Sequence, residues 1–217
     1  VHLFKLYFMK INNSYWYFKG VLSKKFCEEL IQYGKQKEDQ LALTGSFKNL
    51  KELSKKQLKD LKKKRNSNIV WIGEQWVYKE ILPYVHLANK NAGWNFDWNY
   101  SEDCQFTKYT EGQFYDWHQD SFDGVYDKPD NINLHNKIRK LSVTCSLSNP
   151  DTYKGGELEF YEGNPERINK KNMLKCTEIS EQGSIVIFPS FMWHRVCQIT
   201  KGTRYSLVIW NCGNEFK

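Results

Sequence analysis

The sequence contains no apolar run near the roughly 18 residues that a membrane-spanning helix needs, and its first residues lack the pattern of a secretion signal. Its six cysteines are scattered, and no two of them form a C-x-x-C pair. Neither a zinc ribbon nor a dense disulfide scaffold is therefore predicted. These absences favour a soluble cytoplasmic protein with no membrane partner and with reduced, mostly buried thiols.

The chain is long enough and aromatic enough to bury a sizeable core. It has 217 residues, of which 40% are hydrophobic and 16% aromatic, and this balance argues against disorder. We expect one domain over residues 1–217. In that domain, residues 1–92 would supply strand and helical support, and residues 93–217 would form a β-rich core.

The formal charge of +7 is unevenly distributed along the chain. Residues 1–90 hold 18 Lys and Arg against 8 Asp and Glu, whereas residues 91–217 hold 14 against 17. A basic front half could bind an acidic partner such as nucleic acid, although a solvated surface is the commoner explanation of a lysine-rich stretch. Composition alone therefore names no partner.

Three helices are predicted in the front part of the chain. Ser23 is a typical N-cap for the first helix. The second is predicted over residues 54–65, where seven Lys and Arg would form a simply solvated face. A strand is expected at residues 69–72, followed by a third helix at residues 74–92 with a kink at Pro83.

After residue 93 the pattern changes to short β-rich stretches separated by turn residues, which is typical of an antiparallel sandwich or barrel. Strands are predicted near residues 94–100, 103–109, 113–118, 139–148, 156–161, 175–179, 184–188, 192–199 and 204–211. Residues 121–137 are the longest irregular stretch, and they are expected to form either a mobile lid or a disordered insertion.

His118 and Asp120 are two residues apart at a predicted strand, so their side chains can point to the same face. His194 follows another predicted strand and could meet them across a sandwich. Two imidazoles and one carboxylate on one face of a metal are typical of non-haem Fe(II) oxygenases, which keep positions open for cosubstrate and dioxygen. An H-x-D pair alone is more often an ordinary hydrogen-bonded surface pair.

Arg204 lies ten residues after His194 in a predicted strand, and Ser206 follows it on the same face. A guanidinium can bind a carboxylate through two parallel hydrogen bonds, and the hydroxyl can donate a third. Without a metal triad, Arg204 would be an ordinary surface residue of an edge strand. Beside the triad, the pair predicts a binding site for the carboxylate of a cosubstrate.

Together these residues resemble the Fe(II)- and 2-oxoglutarate-dependent dioxygenases, most closely the prolyl 4-hydroxylase-like branch that includes bacterial and phage proteins. The resemblance rests on residues 109–120, on residues 141–148 with the G-G-E-L turn at 155–158, and on residues 188–196. It implies an α+β, mainly β fold: a double-stranded β-helix (jelly roll) buttressed by the N-terminal helices. It also implies Fe(II) as the metal, 2-oxoglutarate and O2 as cosubstrates, and ascorbate as an optional reductant.

The same resemblance assigns roles to residues outside the triad. Arg204, Ser206 and Tyr109 would bind 2-oxoglutarate. Arg139 and Trp210 match positions that face the substrate in animal prolyl hydroxylases.

The activity implied by the resemblance is hydroxylation of a C–H bond with release of succinate and CO2, and a prolyl residue of a peptide or protein is the leading substrate. The carboxylate of Asp120 favours hydroxylation over halogenation. Another amino-acid side chain and nucleic acid stay open as substrates, although demethylases of nucleic acid tend to carry an arginine where this chain has Trp210. A non-catalytic jelly-roll binding module is the alternative of a different class.

Overall fold

The structure is a computed structural model that describes residues 11–43, 53–121, 124–163 and 169–216. Three α-helices lie in these ranges: α1 (Lys24–Lys35), α2 (Lys55–Lys64) and α3 (Gln75–Asn91). The same ranges contain the strands β1 (Trp16–Phe18), β2 (Gln40–Leu41), β3 (Arg65–Asn66), β4 (Asn68–Ile72), β5 (Tyr100–Ser101), β6 (Cys104–Thr110), β7 (Phe114–His118), β8 (Ile138–Ser146), β9 (Tyr153–Gly155), β10 (Leu158–Tyr161), β11 (Met173–Cys176), β12 (Ile185–Pro189), β13 (Trp193–Val196) and β14 (Ile199–Gly213).

The first two helices begin at serine N-caps. The Ser23 hydroxyl accepts a hydrogen bond from the Phe26 amide at 3.1 Å. Ser54 and Gln57 satisfy each other's backbone amides in a capping box. Pro83 lies inside α3, as predicted. The positions of these helices are therefore encoded locally in the sequence.

Two antiparallel sheets form the body of the molecule. The larger sheet has the order β1-β12-β8-β14-β6-β4-β2, with β5 and β9 also paired to β14. The smaller sheet has the order β11-β10-β13-β7-β3. Phe160 of the smaller sheet and Phe188 of the larger one meet with ring centroids 4.9 Å apart. Two facing sheets supported by helices confirm the predicted jelly roll.

Strand β12 shows how one sheet separates two cores. Ile185 and Ile187 belong to a core shared with α1 and α3, whereas Val186 and Phe188 belong to a second core between the two sheets. Successive side chains of a strand point to opposite faces, so a continuous apolar run fills both cores. The helices of the front half therefore cover one face of the larger sheet.

The strands β6, β8 and β14 at the centre of that sheet use the same alternation for a different purpose. Their helix-facing side chains are apolar: Cys104, Phe106, Leu141, Val143, Cys145, Leu207 and Ile209. The residues between them are buried and mostly polar: Gln105, Thr107, Ser142, Thr144, Ser146, Arg204 and Ser206. The polar face points into the space between the sheets, where a binding pocket lies.

The predicted strand near residues 94–100 is wrong for most of its length, because only Tyr100–Ser101 is a strand. Gly93 and Asn95 have φ of 73° and 51°, which lie in the left-handed region and not in the extended region of a regular strand. The Phe96 amide instead donates a hydrogen bond to the Asn89 side chain at 2.9 Å. The strand predicted near residues 175–179 ends at Cys176, and a 3-10 turn at Glu178–Ser180 follows it.

The irregular stretch at residues 121–137 forms a hydrogen-bonded loop over residues 124–137. The Tyr126 amide donates to the Lys137 carbonyl at 2.8 Å, and the Asn136 amide donates to the Tyr126 carbonyl at 2.9 Å. Residues 122 and 123 lie outside the described residues. The described part therefore has a defined conformation that places Tyr126 beside β5 and β8.

All six cysteines are free, and all but the half-buried Cys197 are buried, as predicted. Burial raises the pKa of Cys104 to about 12, so this thiol stays protonated at neutral pH. Within the described residues, no helix has the length and apolar character needed to cross a membrane.

Candidate metal centre and carboxylate pocket

The pairing of β7 with β13 brings the two distant histidines together. His118 ends β7, and the register places His194 of β13 directly opposite it. Asp120 follows two residues after His118, and its amide donates to the Ser190 carbonyl at 2.9 Å. The predicted triad is therefore assembled by one strand pair and one anchored turn.

The three side chains face one another in a buried space. Asp120 Oδ1 lies 3.8 Å from His118 Nε2, and Asp120 Oδ2 lies 3.6 Å from His194 Nε2. One ligand atom from each residue lies within 4.8 Å of the others. A single cation placed between these atoms would contact all three residues.

The chain's own backbone fixes which imidazole nitrogen faces this space. His118 Nδ1 lies 2.8 Å from the Asp116 carbonyl, and His194 Nδ1 lies 3.0 Å from the Met192 carbonyl. A carbonyl oxygen only accepts a hydrogen bond, so both Nδ1 atoms carry the proton. Both Nε2 lone pairs are then available to a metal, the arrangement found in many histidine metal sites.

The ionisation of the triad also suits a cation. Burial and the neighbouring His194 hold the pKa of His118 well below its ordinary value, so this imidazole is neutral. Burial alone would raise the pKa of Asp120, but His194 and His118 lower it below its ordinary value. Asp120 Oδ2 is buried and lacks a hydrogen-bond partner among the described residues. Two imidazoles and one carboxylate with an unused oxygen fit Fe(II).

A second cluster of candidate ligands lies in the same pocket, on β14 and β6. Arg204 is 2% exposed, and its Nη1 donates to the Ser206 hydroxyl at 3.2 Å. The Arg204 guanidinium carbon lies 5.9 Å from the centre of the Tyr109 ring. No carboxylate of the described residues forms an ion pair with Arg204. A buried cation without a counterion is costly, so this pocket suits an anionic ligand.

Gly156 makes room for the Arg204 side chain. Its φ is +72°, and a Cβ at this position would lie 2.9 Å from Arg204 Cδ and closer still to Ile199 Cδ1. Any side chain would therefore meet both a strained backbone conformation and a clash. The second glycine of the G-G-E-L turn thus fixes where the Arg204 side chain lies.

Arg139 contacts two residues of the pocket, Asp120 and Trp210, and is bound to a carboxylate. Its Nε and Nη2 donate to the two oxygens of Glu102 at 2.6 Å and 2.8 Å. Its Nη1 donates to the Asp120 carbonyl at 3.4 Å, and its guanidinium carbon lies 3.8 Å from the centre of the Trp210 ring. Burial alone would raise the pKa of Glu102, but Arg139 and Tyr126 lower it below its ordinary value.

Arg65 was predicted to belong to the solvated face of the second helix, and this interpretation is wrong. α2 ends at Lys64, and Arg65 is extended and paired with Tyr115 of β7. The Arg65 side chain is 4% exposed and lines the same pocket as Arg204. Its Nε donates to the Ser67 hydroxyl at 3.0 Å, whereas its buried Nη2 has no hydrogen-bond partner among the described residues.

A sequence signal for Arg65 exists in the segment that follows the helix. Arg65 and Ser67 alternate in an extended stretch, so both side chains point to one face. The run of lysines before Arg65 obscures that alternation, because it continues the apparent polar face of α2.

Comparison with known proteins identifies the family. The sequence profile of the 2OG-Fe(II) oxygenase superfamily matches residues 104–212, which is half of the chain. The chain belongs to the 2OG-Fe(II) oxygenase superfamily. Membership implies Fe(II), 2-oxoglutarate and O2, as the motifs predict, whereas a role for ascorbate stays a prediction. The matched segment contains all three predicted metal ligands, His118, Asp120 and His194.

Curated proteins similar to this chain include PKHD-type hydroxylases. The chain is 35% identical over 104 residues to one from Parvibaculum lavamentivorans, covering 48% of this chain and 39% of the relative. It is 34% identical over 106 residues to one from Teredinibacter turnerae, covering 49% of this chain and 41% of the relative. The chain therefore spans about two-fifths of the length of these curated relatives.

Solved structures share the fold of this chain over nearly its whole length. A viral collagen prolyl hydroxylase from Paramecium bursaria Chlorella virus-1 superposes with a TM-score of 0.61 at 20% identity, covering 93% of this chain and 97% of that one. A prolyl-4-hydroxylase from Pseudomonas putida superposes with a TM-score of 0.59 at 17% identity, covering 94% of this chain and 95% of that one. These similarities show the jelly-roll fold with its supporting helices.

Proposed function

We propose that this protein is an Fe(II)- and 2-oxoglutarate-dependent dioxygenase that hydroxylates a prolyl residue of a peptide or protein. One observation carries the proposal: a buried His-Asp-His cluster and a buried arginine that has no counterion among the described residues line the same pocket. The cluster suits a divalent metal, and Arg204 suits a carboxylate. A metal beside a bound dicarboxylate is the arrangement that 2-oxoglutarate chemistry needs.

Each residue of the pocket has a defined task in this proposal. His118, Asp120 and His194 hold the iron. Arg204 binds the far carboxylate of 2-oxoglutarate, and Ser206 donates a further hydrogen bond to it. When bound, the iron supplies dioxygen activation, so that 2-oxoglutarate is oxidised to succinate and CO2 and one oxygen atom is inserted into a substrate C–H bond.

Tyr109 is the third residue proposed to contact the cosubstrate. Its ring is 3% exposed and faces the same pocket as Arg204. A phenol at this position can donate to a carboxylate oxygen without adding charge. Its contribution is therefore smaller than that of the guanidinium.

The substrate end of the pocket supports a peptide. Trp210 is buried beneath the Arg139 guanidinium, and Trp71 lies beside it with ring centroids 6.1 Å apart and 41% of its surface exposed. Aromatic rings bind apolar substrate rings such as that of proline. Arg65 Nη2, which has no hydrogen-bond partner among the described residues, and the Arg139 guanidinium can donate to peptide carbonyls.

We also propose that residues 1–217 act as one domain. Residues of α1 and α3 share a continuous core with β8, β12 and β14. The larger sheet therefore depends on the front half for the burial of its apolar face.

Anaerobic addition of Fe(II) and 2-oxoglutarate tests the cofactor part of the proposal. We expect a visible metal-to-ligand charge-transfer band that His118→Ala abolishes. The exposed His86 of α3 provides a matched control, and His86→Ala should leave the band intact. A native protein without this band would contradict the proposal.

Turnover tests the substrate part. Proline-containing peptides should gain the mass of one oxygen atom, in step with succinate release, when iron, 2-oxoglutarate and ascorbate are supplied. Fragmentation should place the added oxygen on proline. An oxygen placed on another side chain, or on an oligonucleotide offered in parallel, would keep the dioxygenase and reject the prolyl substrate.

A further inference from the structure

The helix α2 carries an unusual concentration of positive charge. Its ten residues include six lysines and a single acidic residue, Asp60. Asp60 pairs with Lys63 at 3.1 Å. Lys55, Lys59 and Lys62 form no ion pair with any residue that the structure describes.

An ordinary solvated helix in the same molecule looks different. In α1, Lys24 lies 3.8 Å from Glu28, and Lys25 lies 3.8 Å from Glu29, each pair four residues apart. In α2 the corresponding neighbour of Lys55 is Lys59. Like charges at this spacing destabilise a helix, so α2 would gain stability from an anionic ligand.

The lysines of α2 also surround an apolar centre. Lys55, Lys59, Lys62 and Lys63 line a shallow depression whose floor is the half-buried Leu58. Positions four, seven and eight residues apart lie on one face of a helix. This face therefore offers positive charge around a small apolar contact, which suits a polypeptide better than a phosphate backbone.

The position of α2 connects this face to the pocket. α2 packs against β3 and β7, and the next residue, Arg65, lines the pocket. At 1.5 Å per residue, Lys62 lies roughly 5 Å and Lys55 roughly 15 Å from Arg65 along the helix axis. An extended peptide covers that distance with about five residues.

We infer that α2 is a docking helix for an acidic polypeptide segment, located within about five residues of the residue presented to the pocket. The inference rests on the proposed function, because it names the class of polypeptide substrate. Asp and Glu of the substrate contact the unpaired lysines, and an apolar side chain of the substrate contacts Leu58.

Binding of labelled peptides to the full chain tests the inference without requiring turnover. The probes are a proline peptide with four glutamates next to the proline, the same peptide with glutamines, and one with the glutamates about twelve residues away. Fluorescence anisotropy should show that the first peptide binds about fivefold more tightly than either of the other two. Raising the salt from about 0.05 to 0.3 M should remove half or more of that advantage.

Two charge-matched variants locate the effect. Lys55→Gln/Lys59→Gln/Lys62→Gln should remove the advantage of the acidic peptide. Lys79→Gln/Lys90→Gln/Lys171→Gln removes the same charge from exposed sites elsewhere. This variant should keep the advantage of the acidic peptide. Equal loss in both variants would overturn the inference, because a general field would then explain the binding. An oligonucleotide that binds α2 while the acidic peptide gains nothing would overturn it too.

Parallel turnover assays separate this inference from the proposed function. If the acidic peptide binds through α2 but no proline peptide is oxidised, the docking surface stands and the prolyl substrate fails. If peptides are oxidised with the same KM whether they carry glutamate or glutamine, the proposed function stands and the docking inference fails.

Discussion

The two faces of the larger sheet belong to the same strands and yet differ in polarity and charge. On β14, Leu207 and Ile209 pack against the helices, whereas Arg204 and Ser206 point into the pocket. All four are at most 2% exposed. Burial therefore does not distinguish the faces. What differs is that one face makes apolar contacts, whereas the other holds a cation, Arg204, that forms no ion pair in the part of the chain that the structure describes.

This difference separates stability from function at the resolution of single residues. An apolar face lowers the free energy of the folded state, whereas a buried unpaired charge raises it. Residues one position apart should therefore respond to substitution in opposite ways. The following predictions test that contrast, in order of decreasing effect.

Arg204→Met should weaken 2-oxoglutarate binding by up to about 5 kcal/mol, because the carboxylate of the ligand loses its charged partner. The free energy of unfolding should stay unchanged or rise, since the substitution removes an uncompensated buried charge. Titration of the charge-transfer band and urea denaturation measure the two quantities. A clear loss of stability would show that the guanidinium is already paired within the protein.

Ile209→Ala should lower the free energy of unfolding and leave 2-oxoglutarate binding nearly unchanged. Deleting a buried isoleucine side chain costs about 3 kcal/mol of unfolding free energy, because a cavity remains beside the helices. The affinity for 2-oxoglutarate should change by less than about twofold, since Ile209 points away from the pocket. If the affinity of the folded protein fell strongly, the two faces would not be independent.

Glu102→Gln should cost about 2 kcal/mol of stability at neutral pH, because Arg139 loses a charge-assisted partner while the amide oxygen still accepts one hydrogen bond. Arg139 lowers the pKa of Glu102 in the folded state. Its contribution is therefore present above the ordinary pKa of 4.5 and is lost as the pH falls through the folded pKa.

Denaturation of both proteins across a pH series measures this effect. The gap in unfolding free energy between native protein and Glu102→Gln should be constant near neutrality and narrow in acid. A gap that widened in acid would contradict the assigned direction of the Glu102 pKa.

Tyr126→Phe should have the smallest effect, about 1 kcal/mol of stability. The Tyr126 hydroxyl donates to Glu102 Oε1 at 2.9 Å, and this bond ties the loop over residues 124–137 to the Arg139 pair. Hydrogen exchange of the loop amides should accelerate in the variant. Unchanged exchange would mean that the backbone hydrogen bonds of the loop hold it without the side chain.

Local patterns in the sequence were sufficient for part of the site. His118 and Asp120 are close in sequence, and so are Arg204 and Ser206, so the two-residue period of a strand predicts each pair. The N-cap Ser23 likewise predicts where α1 begins. These features are determined by residues close together in the chain, so they can be predicted from a single sequence.

Features that depend on distant pairing were not predictable in this way. Arg65 enters the pocket because β3 pairs with β7, and Glu102 holds Arg139 across 37 residues of chain. The failed strand near residue 95 has a different cause, since left-handed backbone at Gly93 and Asn95 follows from the turn after α3. Tertiary register and turn geometry decide these cases.

The carbonyls of Asp116 and Met192 that orient the two imidazoles are main-chain atoms. Every amino acid supplies such a carbonyl, so replacement of either side chain leaves the acceptor in place. The orientation of the metal-facing nitrogens therefore depends on the backbone geometry, and side-chain substitutions at Asp116 and Met192 should leave it unchanged. Variation at these two positions can adjust the surroundings of the metal without disturbing its ligands.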